Sequence, residues 1–129
     1  MTSRLLQVAV DCQDPHRLAE FWAAVLDYRV IEDKGDQVEI ASWEPTVEAV
    51  RREPMPSTVM FIKVPEGKVT KKNRLHLDVI PIDVSQDDEV ERVIRLGARR
   101  VDLGQGEQSW VVLADPEGNE FCVLRSIAP

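Results

Sequence analysis

Leu6-Gln7-Val8-Ala9-Val10-Asp11 and Leu75-His76-Leu77-Asp78-Val79 are two copies of one pattern. In each, side chains alternate with the period of two that a half-buried strand requires. Leu6, Val8 and Val10 share one face of the first copy, and Leu75, Leu77 and Val79 share the matching face of the second. The segments after the two copies also match. Asp14 can cap the free N–H groups of a helix, and Pro15 fits its first position. Leu18, Phe21, Trp22, Val25 and Leu26 then form one helical stripe. In the second copy Ser85 is the cap, Val90, Val93 and Ile94 the stripe, and Gly97 the helix end. Nineteen positions separate Gln7 from Leu26, and twenty separate His76 from Leu96.

Strands complete each half. Tyr28 to Glu32 and Gln37 to Trp43 flank a Lys34-Gly35-Asp36 turn. The stretch 44–57 carries Pro45, Pro54 and Pro56 and reads as a loop, after which Thr58 to Val64 is a strand. The second half continues with strands over Arg99 to Leu103 and Ser109 to Ala114, around a Gly104/Gly106 turn. Asp115-Pro116-Glu117-Gly118-Asn119 is a turn with Pro second and Gly fourth, and Glu120 to Ser126 is the last strand. A twofold repeat of about seventy residues is too long for a solenoid and suggests duplicated modules around a shared interior. The expectation is one domain over 1–129: module one at 4–65, a basic linker at 66–73 and module two at 74–127. Its helices fall near 15–27 and 86–96.

A chain of 129 residues, 43% hydrophobic and 30% charged, has the composition of a soluble globular domain and not of a disordered or fibrous segment. A net charge of −7 argues against nucleic acid as partner, because phosphate binding needs clustered positive charge. The longest apolar run, Phe21 to Leu26, is far short of the ~20 residues of a membrane span. With no signal region behind Met1, the expected setting is the cytoplasm and the expected partner a small molecule. Cys12 and Cys122 have no C-x-x-C spacing, so neither a disulfide framework nor a structural zinc site is supported. Two reduced, buried thiols are the default.

Three stretches carry a family resemblance: Asp14-Pro15 leading into Leu18-Ala19-Glu20-Phe21-Trp22 and Leu26-Asp27-Tyr28; Lys72-Asn73-Arg74-Leu75-His76-Leu77-Asp78-Val79; and Asp115-Pro116-Glu117-Gly118-Asn119-Glu120-Phe121. On these the chain resembles the vicinal oxygen chelate superfamily, and within it the glyoxalase-like or bleomycin-resistance-like domains. The resemblance implies an α+β fold of two βαβββ modules forming a half-open β-barrel around a cavity. In metal-dependent members the first and last strands of each module supply ligands. Carried over, Gln7 matches the first-module ligand and His76 the second-module one. The second-module carboxylate position falls on Cys122, and its first-module counterpart falls in Val59 to Ile62, where no side chain is a conventional ligand. Two of four donors are missing, so a divalent ion held by Gln7 and His76 and the absence of any cofactor both stay open. A hard cation would want more oxygen donors. An iron triad would need a second cavity histidine, whereas His16 sits in the first turn of a helix and should face solvent.

Two functions follow as expectations. One is a glyoxalase-like lyase or isomerase acting on a small carbonyl metabolite. There His76 and Asp78 are catalytic, Gln7 holds an ion or polarises an oxygen, and Asp11 or Asp78 moves a proton. The alternative is a non-catalytic, drug-sequestering protein of the bleomycin-resistance kind. Trp43, Trp110 and Cys122 are candidate ligand-binding residues, although an aromatic on a strand is more often plain core. Gln7 can equally bond a neighbouring strand, and His76 beside Asp78 can be a satisfied structural pair. Asp11 and Asp78 serve as acid or base if buried, and are ordinary surface carboxylates if their strand ends meet water. The Lys68 to Arg74 run is a solvated linker or a holder of an anionic ligand. The repeat's symmetry should bring Gln7 and His76 to one interior space, with Cys122 facing it and Phe121 and Val123 turned to the helices. Sheet edges left by eight strands should be covered in a homodimer.

Overall fold

Apolar alternation builds the first sheet. The computed structural model describes residues 4–67, 75–101 and 109–129, and the chain divides into two compact units, Met1–Gly67 and Lys68–Pro129. In the first unit, β1 (Gln7–Cys12) runs parallel to β4 (Thr58–Lys63). The hairpin of β2 (Arg29–Asp33) and β3 (Gln37–Ala41) adds antiparallel on its other side, giving the order β1-β4-β3-β2. Val38 opposes Phe61 and Ile40 opposes Val59, and all four are buried. The helix α1 (Pro15–Leu26) lies against β3 and β4, burying Leu18, Phe21, Trp22 and Val25. The Phe21 and Trp22 rings meet edge to face, centroids 5.2 Å apart. At the start of α1 the Asp14 carboxylate accepts the Arg17 N–H at 3.2 Å; the helix stops where Asp27 turns left-handed at φ 55°.

The stretch 44–57 is not wholly a loop, as its prolines suggest. It contains a short helix of six residues, α2 (Val47–Arg52), opened by the Thr46 hydroxyl accepting the Ala49 N–H at 3.1 Å. None of its residues is buried, so it carries no apolar stripe for the sequence to display.

The second unit repeats the plan in shorter strands. β5 (Leu77–Val79) is parallel to β8 (Glu120–Val123); β7 (Val111–Ala114) and β6 (Arg99–Arg100) extend the sheet antiparallel in the order β5-β8-β7-β6. The helix α3 (Gln86–Leu96) lies on β8, with Val90, Val93, Leu113, Phe121 and Val123 buried. Ser85 Oγ accepts the Asp88 N–H at 3.1 Å, and Gly97, at φ 128°, ends the helix. The last strand stops at Val123 and not at Ser126, whose hydroxyl donates to the Val84 carbonyl while the Ile127 N–H bonds the Pro81 carbonyl. The 115–119 turn is built on Asp115, only 2% exposed, whose carboxylate accepts the backbone N–H groups of Glu117 and Asn119 at 2.9 and 3.0 Å. The expected Lys68–Arg74 linker and Gly104/Gly106 turn lie outside the described residues. Two mixed four-stranded sheets with their helices make this an α+β fold. Among the described residues no helix is long and apolar enough to cross a membrane.

Candidate functional site

Strand geometry gathers three of the expected site residues in the second unit. The expected strand Leu75 to Ile80 is shorter, so His76 immediately precedes β5 while Asp78 lies at its centre. The β5–β8 register sets Asp78 against Cys122, which alternates with the buried Phe121 and Val123. His76 Nδ1 lies 3.1 Å from Asp78 Oδ1, with the two side chains 43% and 47% exposed, while Cys122 is buried. One donor atom from each of His76, Asp78 and Cys122 lies within 4.8 Å of the other two.

The chemistry of this set fits a metal ion. Two zinc–ligand bonds laid end to end span roughly 4.4 Å, so small rotations of the exposed His76 and Asp78 side chains would bring the donors to one centre. Thiolate and carboxylate together offset a divalent charge. Sulfur selects a borderline cation such as zinc over a hard ion such as magnesium or calcium.

In the first unit, Gln7 takes part in a different arrangement. It stands against Thr58 in the β1–β4 register, and Glu39 reaches both from β3. Gln7 Nε2 donates to Glu39 Oε2 at 2.9 Å, and Thr58 Oγ1 donates to the same oxygen at 2.7 Å. Glu39 is 9% exposed and Thr58 fully buried. Sequence reasoning passed over both. The available signal was an acidic residue at the centre of the apolar strand Gln37-Val38-Glu39-Ile40-Ala41.

Trp43 Nε1 donates to the Pro56 carbonyl at 2.8 Å, and the ring lines a shallow pocket with Leu5, Leu6, Val50 and Met55. Trp110, 38% exposed, immediately precedes β7. Asp11 is exposed, as is Asp78, so both meet water. His16 is exposed too, its Nε2 set 2.9 and 3.0 Å from the two Asp33 oxygens. The Gly35 N–H, donated to Asp33 at 2.8 Å, and then His16 hold the Asp33 carboxyl below its ordinary range. Cys12, like Cys122, is a buried thiol.

Comparison with known proteins places this geometry. No curated protein matches the chain in sequence. Among solved structures, the chain is similar to a glyoxalase/bleomycin resistance protein/dioxygenase family enzyme from Burkholderia phytofirmans, at 17% identity and a TM-score of 0.67 over 97% of this chain and 99% of that one. It is also similar to the fosfomycin resistance protein FosX from Mesorhizobium loti, at 16% identity and a TM-score of 0.65 over 95% and 92%. A third likeness is a FosX variant from Listeria monocytogenes complexed with Mn(II) and 1S,2S-dihydroxypropylphosphonic acid, at 14% identity and a TM-score of 0.62 over 96% and 90%. These likenesses concern the fold. The model of the glyoxalase-like domain matches residues 7–124, nearly the whole chain, and the chain is therefore a member of the glyoxalase-like domain family, with the vicinal oxygen chelate fold.

Proposed function

We propose that this chain is a metal-assisted lyase or isomerase of the glyoxalase-like kind, acting on a small carbonyl compound at His76, Asp78 and Cys122. The observation that supports this reading is the convergence of nitrogen, oxygen and sulfur donors within 4.8 Å. A zinc-class ion, when bound, polarises a carbonyl oxygen and stabilises the negative charge that develops on it. His76, Asp78 and Cys122 would hold such an ion with one donor atom each. Asp78 Oδ1, 3.1 Å from His76 Nδ1, orients the ring, and the carboxylate would hold the ion together with it. Cys122, buried, sets the donors' depth in the sheet. The edge strands β1, β2, β5 and β6 support a homodimer that covers them, tested by light scattering at micromolar concentration.

A second reading is non-catalytic binding of a small molecule. It is favoured by Gln7, whose amide N–H is engaged by Glu39. Zinc-loaded protein incubated with 2-oxoaldehydes and their thiol adducts, followed by proton NMR, separates the two. The enzyme reading expects chelator-sensitive turnover that falls at least tenfold, about 1.4 kcal/mol, in His76→Ala while the melting temperature moves little. Saturable binding of these compounds without turnover would overturn it in favour of sequestration.

A further inference from the structure

Glu39 is a carboxylate, nine-tenths buried, that the proposed metal site does not use. Both of its hydrogen bonds arrive at Oε2, from Gln7 and from Thr58. A carboxylate only accepts, so the Gln7 amide must turn its nitrogen toward Glu39 and its carbonyl oxygen away. Among the described residues, neither Glu39 Oε1 nor Gln7 Oε1 has a hydrogen-bond partner, and no fully buried side-chain oxygen lacks one. These two oxygens therefore reach solvent. No cationic side chain among the described residues pairs with Glu39.

The balance of donors and acceptors identifies what could complete this site. It offers two open acceptors, one of them charged, against a single open donor, the second N–H of the Gln7 amide. A largely buried carboxylate without a cation is costly, and a charge-assisted N–H bond is the contact that offsets the cost most. Met60 stands opposite Glu39 on β4 and opposite Ala9 on β1, so the same face offers apolar surface beside the oxygens. We infer that Glu39 and Gln7 form a recognition site for a cationic nitrogen, a primary ammonium or amidinium on a compact apolar body, with Thr58 fixing the carboxylate's orientation. This goes beyond the metal-assisted reading and uses none of its residues.

The test uses benzylammonium, with benzyl alcohol as the uncharged probe of the same shape. Both are titrated into the whole chain with its methionine methyl groups labelled, so that Met60 reports on the site and Met55, beside Trp43, serves as a control. Benzylammonium is expected to move the Met60 signal saturably, at least tenfold more tightly than benzyl alcohol. Glu39→Gln should abolish that preference. The comparison of probes in the unaltered protein decides the matter even if the variant fails to fold. Equal affinity for the two probes, a preference that survives in Glu39→Gln, or competitive displacement of benzylammonium by zinc would each overturn the proposal. The first two outcomes do not bear on zinc binding by His76, Asp78 and Cys122, whereas displacement by zinc would put an ion at Glu39 and Gln7.

Discussion

Thr58→Val removes one hydroxyl and keeps the side chain's shape. Thr58 is completely buried, and its hydroxyl donates at 2.7 Å to the carboxylate of Glu39. Water cannot replace a donor at a site with no exposure, so the variant forfeits a hydrogen bond to a charged acceptor, about 2 kcal/mol. An unfolding entropy of roughly 2.1 cal/mol/K per residue over 129 residues makes ~0.27 kcal/mol per degree. The melting temperature should therefore fall by about 7 °C, read by calorimetry or circular dichroism. Gln7 donates to the same oxygen from a half-buried position, where water can take its place. Gln7→Leu should accordingly cost less than half as much. Repeating Thr58→Val in the Glu39→Gln background should give a smaller loss, with a coupling of about 1 kcal/mol. A Thr58→Val protein that melts within about 2 °C of the parent would refute the reasoning, as would a larger cost for Gln7→Leu.

Asp33 makes stability depend on pH. Its folded-state carboxyl is held below the ordinary value of 3.8 by the Gly35 N–H and by His16, so its contribution is present above that value and lost as pH falls through the lower folded one. The melting-temperature gap between the parent and Asp33→Asn should be open near about pH 5 and closed near about pH 2. Asp115→Ala strips the 115–119 turn of its acceptor for two backbone N–H groups and the Asn119 amide, and should lower unfolding stability by about 3 kcal/mol in urea titrations. Gly35→Ala meets open space, so only its left-handed φ of +86° is penalised, and urea should show a loss of ~1 kcal/mol.

The sequence displayed those parts of the fold whose signals are local. Leu18, Phe21, Trp22 and Val25 announce α1 by spacing alone, and Asp14 and Ser85 sit at the caps that they bond. The residues Asp115 to Asn119 make their turn from bonds spanning at most four positions. By contrast, α2 has no buried residue, so proline content outweighed the short-range cap at Thr46. The pairing of His76 with Asp78 was readable from their two-residue spacing, although β5 begins only at Leu77. Adding Cys122 to them depends on a register across more than forty residues, and only the family resemblance suggested it. The Gln7–Glu39–Thr58 cluster depends on registers among three strands, and the sequence offered Glu39 alone as a hint.

Zinc content per chain tests the central claim most directly. Protein purified from zinc-replete medium and dialysed against metal-free buffer should retain one equivalent by mass spectrometry, because folded donors bind the ion that an unfolded chain releases. Cys122→Ser and His76→Ala should retain almost none, and Gln7→Leu, which leaves all three donors in place, should retain the full equivalent. A parent protein without zinc, or a Cys122→Ser variant that holds as much as the parent, would contradict the account.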